Sequence, residues 1–328
     1  MPSTRDIKRR QKSVKNTGQV TRAMQMVAAS KMRKAQLVAL QSRPYAEKAL
    51  SILAGIKQRQ PDIRNIYLDE LTGSDPVSSQ LLAIVITSDK GLCGGLNSAV
   101  IRESEKIFEQ YKKNEYNIEL VLVGAKSKSY FERMKLPILE TFKSVGDYIE
   151  LEQVKPISRF IQEKYVRGGS HINKVLAIYT EFQSTLKQKV SRRQILPISE
   201  DLFKDLILDI TPVSGQWSVV SGPAYASPSP KTTELHSEDS AGKQEYIFEP
   251  SPQVVLDNLI PFLIDIYIYH IILESNASEH SARMVAMKNA SDNAKKILGE
   301  LTLSYNKARQ AAITREISEI TAGVEALK

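Results

Sequence analysis

The chain has few of the residues that bind metals or form disulfide bonds. It contains one cysteine, Cys93, among 328 residues. A single cysteine excludes a disulfide framework and a cysteine-rich zinc site, and it suits a reducing compartment. No two of its histidines are close enough in sequence to indicate a histidine-rich metal centre, and we predict neither a metal nor a cofactor. The four histidines are His171, His236, His270 and His280.

Long apolar runs are also missing. The most apolar stretch, 262–273, is interrupted by Asp265 and His270, whereas a membrane span needs about 20 apolar residues. The N-terminus has no apolar signal-peptide core, and its strong helix formers argue against a transit peptide. We therefore predict no direct membrane insertion. Apolar residues at 42% and charged residues at 25% are typical of a folded globular protein, and they exclude a chain that is disordered throughout.

Proline is absent between Pro2 and Pro44, and this segment has a helical pattern. We predict one amphipathic helix over about 3–60. Residues 1–34 contain ten Lys or Arg and one Asp, so the exposed face is strongly basic. The apolar or small stripe consists of Ile7, Val14, Thr17, Thr21, Met24, Ala28 and Ala35, with Val20 and Val27 widening it.

The middle of the chain changes from a helical to a strand pattern. Continuous apolar runs at 81–87 and 118–124 are typical of buried parallel strands. Strands that alternate with helices predict a small Rossmann-like, mostly parallel α/β domain, placed at 75–208. Further strands are predicted at 137–142, 174–182 and 189–196, the last pairing with the fourth strand, and helices at 98–113, 125–134, 151–167 and 200–208.

The segment 209–245 differs from its surroundings, since seventeen of its 37 residues are Gly, Pro, Ser or Thr. We interpret it as a flexible insertion. The C-terminal part, 246–328, contains a long helix predicted over about 262–327, with steps of three and four that indicate a coiled coil. The predicted fold class is therefore α/β plus a long antiparallel two-helix coiled coil formed by the two termini. The seam runs through Ala277, His280, Met284, Met287, Ser291, Ala294, Leu298, Leu301, Tyr305, Ala308 and Ala312, then through Ile313, Ile317, Ile320, Val324 and Leu327.

Two local features could suggest catalysis. The glycine-rich turn 89–97 follows a strand and precedes a helix, where phosphate loops occur, but it matches neither common phosphate-binding motif. We favour a structural turn there, and a tolerated polar core residue at His280 rather than a metal ligand. No pair of carboxylates is spaced for acid–base catalysis, so we predict that the chain is not an enzyme by itself.

Two alternatives stay open on the residues alone. An α/β nucleotide-binding enzyme could dimerise through its terminal helices and use the turn at 89–97. A coiled-coil protein could bind nucleic acid through the basic N-terminal face, although aromatic residues do not interleave with that face.

Three long motifs, however, resemble the gamma subunit of F-type ATP synthase. They are STRDIKRR at 3–10 with SVKNT at 13–17 and AMQMVAASKM at 23–32, SDKGLCGGLN at 88–97, and a C-terminal set formed by ASEHSARMVAM at 277–287, ASDNA at 290–294 and LTLSYNKARQAAIT at 301–314. The resemblance implies the central rotor shaft of the synthase, with alpha and beta subunits, the epsilon subunit and the c-ring as partners, and with no nucleic acid. It also implies coupling between ion flow through the ring and the catalytic sites of alpha and beta.

The resemblance also assigns contact residues. The alpha/beta stator is expected to meet nine positions on the two terminal helices, and the c-ring is expected to meet the foot at Tyr246 and Glu249. The stator positions are Lys8, Arg9, Met24, Lys31, Arg309, Gln310, Thr314, Ile320 and Val324.

The insertion 209–245 departs from the simplest bacterial pattern. Chloroplast-type relatives have a redox-active cysteine pair in this region, and this chain has none there, so thiol switching is not supported. We expect a bacterial protein, peripheral on the cytoplasmic face of the inner membrane. We hypothesise that the insertion restrains rotation during ATP hydrolysis.

Overall fold

The computed structural model describes residues 4–59, 65–68, 79–143, 145, 149–167, 172–198 and 249–325. The predicted helix at 200–208, the insertion at 209–245 and Tyr246 lie outside these ranges. Within them, two long terminal helices flank an α/β unit. The helices are α1 (Thr4–Arg59), α2 (Leu96–Lys113), α3 (Ala125–Phe131), α4 (Leu151–Arg167) and α5 (Pro252–Glu325), and the strands are β1 (Gln80–Ile86), β2 (Asn117–Val123), β3 (Ile138–Phe142), β4 (Ile172–Phe182) and β5 (Gln188–Leu196).

The five described strands form one sheet in the order β3-β2-β1-β4-β5. β1, β2, β3 and β4 run parallel to one another, and β5 is an edge strand that pairs antiparallel with β4. The predicted strands, and the predicted helices of the domain that fall in the described ranges, are therefore confirmed within a few residues. The helix predicted at 125–134 ends as one turn of 3-10 helix, Glu132–Met134.

Each face of the sheet packs against different helices, because neighbouring strand residues point to opposite faces. Leu81, Val85 and Leu122 meet Ile107 and Phe108 of α2. The other face packs against α4 and both terminal helices in a larger core. Its sheet residues include Leu82, Ile84, Val121, Val175 and Ala177, and its helical residues include Leu53, Ile56, Ile157, Ile161, Ile260, Ile264 and Ile268.

The predicted antiparallel coiled coil is confirmed. The Gln11 Nε2 donates to the Thr302 Oγ1 at 3.3 Å, and a Cβ added to Gly18 would lie 3.3 Å from the Ala294 Cβ. The α5 seam residues from Ala277 to Ala308 are all buried or half-buried. The two chain ends therefore form one rod with the sheet packed beside its lower part.

Part of the predicted α1 stripe is wrong. Val20 and Val27 do not widen it, since they are 58% and 53% exposed. Thr17 is exposed as well, and Gly18 takes the inward position instead. Successive residues on one face of a helix are three or four positions apart, so the pattern from Val14 allowed either Thr17 or Gly18 to face inward. Close approach to Ala294 favours glycine, the smaller of the two residues.

The predicted start of the C-terminal helix is also wrong. α5 begins at Pro252 and continues through Pro261, ten residues before the predicted start. A proline inside a helix costs about 3 kcal/mol. Burial of apolar side chains on both sides of Pro261 offsets this cost: Leu256, Ile260 and Ile264 are each at most 1% exposed.

Among the described residues, one helix is long and apolar enough to cross a membrane by length and composition, Pro252–Val324. Sixty-one percent of its most apolar window is buried inside the protein. Packing against the sheet and α4 therefore explains that apolar stretch, as it does for core helices of other folded domains.

Candidate functional site

The free end of α5 is the most unusual surface of the rod. The contact between Gln11 and Thr302 sets the antiparallel register, so Thr4 lies near the level of Arg309. Every side chain from 309 to 324 is exposed. At 1.5 Å per residue, these 16 residues extend about 24 Å beyond the described part of α1. The expected contacts Gln310, Thr314, Ile320 and Val324 all lie on this overhang, with Arg309 at its base.

Several polar side chains of the overhang bond within the helix. The hydroxyls of Thr314, Ser318 and Thr321 donate to the carbonyls four residues earlier, at 3.0, 2.9 and 2.8 Å. Arg315 pairs with Glu319 at 3.0 Å. Because these groups have partners on their own helix, the apolar residues are the part of this surface that gains most from an external partner.

These apolar residues continue the coiled-coil seam beyond α1. A short single helix with such a seam is marginal in water and gains stability when another surface covers it. The overhang can therefore act as a contact element for another molecule. Its seam residues are Ile313, Ile317, Ile320 and Val324, exposed by 47%, 59%, 68% and 56%.

The nine expected stator positions do not form one patch. Lys8 and Arg9 are exposed on α1, about one helical turn below Arg309 by the antiparallel register. Met24 and Lys31 lie roughly 25–35 Å further along the rod. The structure thus separates the expected contacts into the overhang, a basic collar at its base and a lower pair.

The lower pair lines a groove of about 490 Å³ between α1, α5 and the turn after β1. Met24 and Lys31 are half-buried there, and Lys31 has an electrostatic or hydrogen-bond partner of its own. Apolar side chains of Val20, Val27 and Leu92 also line the groove and are more than half exposed. This surface combines apolar area with positive charge, which suits a partner with both apolar and acidic groups.

Arg283 is a residue of this region that the sequence analysis did not single out. Its Nε and Nη2 donate to the Gly91 carbonyl at 3.3 and 3.2 Å, and its Nη2 also donates to the Lys90 carbonyl at 3.2 Å. Glu279 pairs with the same guanidinium at 2.5 Å, and the His280 Nδ1 lies 3.3 Å from its Nη1. Arg283 thereby fastens the turn after β1 to the rod.

The turn is held in shape by its own side chains. The Asn97 Nδ2 donates to the Ser88 Oγ at 2.7 Å, while the Asn97 Oδ1 accepts from the Ser88 backbone N–H at 3.0 Å. The Asp89 Oδ1 accepts from the Ala125 N–H at 2.9 Å. The Cys93 thiol is buried, 3.2 Å from the Asn97 Nδ2. These contacts give the motif at 88–97 a structural role, since they link β1, α2 and α3.

A second contact fastens the sheet to the rod at a similar level. The Ser281 Oγ donates to the Thr185 carbonyl in the β4–β5 hairpin at 2.7 Å. Both Ser281 and Arg283 lie on α5, so the rod is tied to the turn after β1 and to the turn after β4. These contacts join the rod and the sheet into one unit.

At the opposite end, Glu249 is exposed just before α5 begins. Tyr246, the other expected foot residue, lies outside the described residues. Across the described ranges, no three His, Cys, Asp or Glu side chains are grouped as a metal site.

Comparison with known proteins relates the whole chain to one family. A family model described as ATP synthase matches residues 3–327. ATP synthase gamma chains of Heliobacterium modesticaldum and Paraburkholderia xenovorans are 40% and 36% identical to the chain, with full coverage of both proteins in each case. The gamma chain of Chlorobaculum parvum is 34% identical over the full length of both.

Solved structures agree on the fold. One, described as the central stalk and c-ring of the Tetrahymena thermophila mitochondrial ATP synthase, covers 83% of this chain and 99% of its own, at 23% identity and a TM-score of 0.52. Another, from the mitochondrial ATP synthase of Euglena gracilis, covers 99% and 94% at 18% identity and a TM-score of 0.60. At these identities the likeness concerns the fold.

Proposed function

The chain belongs to the ATP synthase gamma-chain family, and from this premise we propose that it is the non-catalytic central shaft that couples ion flow through a c-ring to ATP synthesis or hydrolysis. It is a component of an enzyme complex associated with a membrane. The observation that carries the proposal is the rod itself, in which α5 extends about 24 Å beyond α1 with every side chain exposed.

The overhang supports a role inside a cavity formed by other subunits. Its apolar seam stays exposed in the isolated chain, while its hydroxyls bond within the helix. A surface of this kind allows shallow contacts that break and reform, as rotation requires. In this proposal Ile320 and Val324 turn inside the alpha/beta hexamer, and Arg309, Gln310 and Thr314 meet loops of the beta subunit.

The basic collar and the lower pair supply charge contacts. Lys8 and Arg9 are exposed near the base of the overhang, and Met24 and Lys31 line the groove beside the turn after β1. Acidic segments of the beta subunit would be attracted to both levels, because exposed opposite charges steer association without locking it.

The remaining assignments concern organisation and location. We assign 1–60 and 246–328 to the shaft, 75–208 to the α/β domain and 209–245 to a flexible insertion. Glu249 and Tyr246 would meet the c-ring, with the epsilon subunit beside them. The complex would lie on the cytoplasmic face of a bacterial inner membrane.

Reconstitution tests this function. The full chain is mixed with alpha and beta subunits of a bacterial synthase, and the complex is isolated and assayed for ATP hydrolysis. We expect one chain per three alpha and three beta subunits, and turnover that depends on the chain. Nucleotide hydrolysis by the chain alone, or salt-sensitive DNA binding without assembly, would favour one of the two alternatives from the sequence.

The same complex tests the contact residues. Replacing Arg309 and Gln310 by alanine should lower turnover several-fold and leave assembly intact, because two exposed contact side chains are lost without disturbing the fold. Arg102→Ala on α2 removes an exposed cation far from the overhang and serves as the control. Equal turnover of the double variant and the control would count against these contacts.

A further inference from the structure

A crevice of about 380 Å³ opens between the turn after β1 and the β4–β5 hairpin. β1 is the switch point of the sheet, since β2 follows it on one side and β4 pairs with it on the other. In open α/β sheets, ligands bind outside the carboxyl ends of the strands at such a point. The crevice is also within the size range of small-molecule sites. Its lining includes Gly94, Gly95, Leu96, Thr180, Gln188 and Asn289.

The N-terminus of α2 opens into this crevice. α2 has 18 residues, its N-cap is Gly95, no side chain caps it, and its first turn contains no acidic residue. The first amides of a helix lack partners within the helix, and the helix dipole makes this end positive. Such an end binds anions when nothing else occupies it.

Thr180 gives an independent indication of a ligand. Thr180 is one of the residues that line the crevice, yet it is only 2% exposed. Its Oγ1 is buried and forms no hydrogen bond with any described residue. A buried hydroxyl without a partner costs about 1–3 kcal/mol, and an anion in the crevice would give it one.

Gly95 leaves room for a ligand beside the backbone. Its φ of −89° is accessible to any residue, and a Cβ added there would meet no atom within 4 Å. Neither backbone conformation nor packing therefore requires glycine at this position. Glycine leaves the backbone open to close approach of a bound group, as in other glycine-rich turns. Gly94 differs, because its φ of +62° itself favours glycine.

We propose that this crevice binds a phosphate group, supplied by inorganic phosphate or by a nucleotide. The amides at Gly94, Gly95 and the start of α2 surround the phosphate oxygens, and the Thr180 hydroxyl donates to one of them. The site is separate from the overhang, the basic collar and the lower pair. It is a binding site without catalysis.

The single cysteine allows a direct test on the full chain. Cys93 immediately precedes Gly94, so labelling cysteine carbonyl carbon with ¹³C and glycine nitrogen with ¹⁵N selects one signal, the Gly94 amide. The signal is followed during titration with inorganic phosphate, ADP or adenosine, with chloride at matched ionic strength. We expect a saturable shift with phosphate or ADP and none with adenosine or chloride.

Variants locate the effect. Thr180→Val should weaken binding about three- to ten-fold, as expected for the loss of one hydrogen bond, and Gly95→Ala should weaken it by filling the approach. Thr141→Val on β3, outside the crevice, is the matched control and should bind as the unmodified chain does.

A shift of the Gly94 signal with inorganic phosphate identifies the free anion as the ligand. A shift with ADP but not with inorganic phosphate identifies the nucleotide as the ligand. The proposal is overturned if neither ligand moves the Gly94 signal, or if Thr180→Val binds as tightly as the control.

Discussion

At the scale of single residues, polar groups packed between the rod and the sheet fall into two kinds. Arg283 is buried with a carboxylate and two carbonyls around its guanidinium, so its charge is compensated. His270 is buried with neither ring nitrogen hydrogen-bonded to a described residue. Its Nε2 lies 3.8 Å from the Glu274 carboxylate, yet burial dominates and lowers the pKa of His270 to about 4.

This burial predicts a stability that depends on pH. The unfolded chain takes up a proton at His270 near pH 6.5, whereas the folded chain resists protonation until about pH 4. The unfolded state therefore binds more protons between these values, and lowering the pH destabilises the fold by up to about 3 kcal/mol. Urea unfolding at pH 7, 6, 5 and 4 measures the effect.

The variant His270→Leu isolates this contribution. Leucine fills the apolar site without titrating, so the stability difference between the variant and the unmodified chain should widen as the pH falls from about 6.5 to 4. Glu274→Gln, which keeps the histidine, is the control and should retain the pH dependence. A constant difference between His270→Leu and the unmodified chain would refute the assignment.

At the scale of elements, the period of the apolar residues predicted which segments become helices or strands. Packing against distant parts of the chain determined where the helices begin and which residues face inward. The buried runs at 81–87 and 118–124 became β1 and β2 because both faces of the sheet are covered. Pro261 stays helical because its neighbours are buried. Gly18 rather than Thr17 faces α5 because Ala294 lies close to it. Ala294 is 276 residues away in sequence, so the local hydrophobic pattern could not predict which of the two residues faces inward.

Gly18 therefore sets the spacing of the rod. A Cβ there would meet the Ala294 Cβ at 3.3 Å, so Gly18→Leu should push the helices apart and destabilise the chain by roughly 1–3 kcal/mol. Gly18→Ala should be close to neutral, because better helix propensity offsets the tight contact. Thermal unfolding monitored by circular dichroism measures both.

Asn16→Leu provides the comparison. Asn16 is exposed on the same helix, and leucine there adds the same side chain without meeting α5. It should change stability by less than about 0.5 kcal/mol. If Gly18→Leu destabilised the chain no more than Asn16→Leu, close approach at Gly18 would not hold the rod together.

At the scale of the whole molecule, the candidate site was only partly predictable. Motifs in the two terminal helices led to the expected stator contacts, but their separation into the overhang, collar and lower pair follows from the antiparallel register. Arg283 shows the same limit. Its partners at Lys90 and Gly91 are brought to it by the packing of the sheet on the rod, which no local pattern in either segment encodes.

One loop contacts residues on both sides of the insertion. The Ile198 N–H donates to the Tyr67 carbonyl at 2.7 Å, and the Asn65 side chain, which accepts from the Tyr67 N–H, donates to Asp257 at 2.9 Å. The loop 65–68 thus connects both flanks of the insertion beside the base of the rod. A short linker in place of 209–245 should leave this junction intact.

Deleting 209–245 should therefore preserve assembly and raise ATP hydrolysis relative to synthesis, because a segment attached to the rotor can restrain its rotation only by contacting the stator. The ratio of hydrolysis to ion-driven synthesis is measured with the complex in vesicles. A variant with the same 37 residues in shuffled order distinguishes the bulk of the insertion from a specific contact. If the bulk of the segment restrains rotation, the shuffled variant should behave as the unmodified chain does. If a specific contact restrains rotation, the shuffled variant should behave as the deletion variant does. An unchanged ratio in the deletion variant would mean that the insertion does not restrain the rotor.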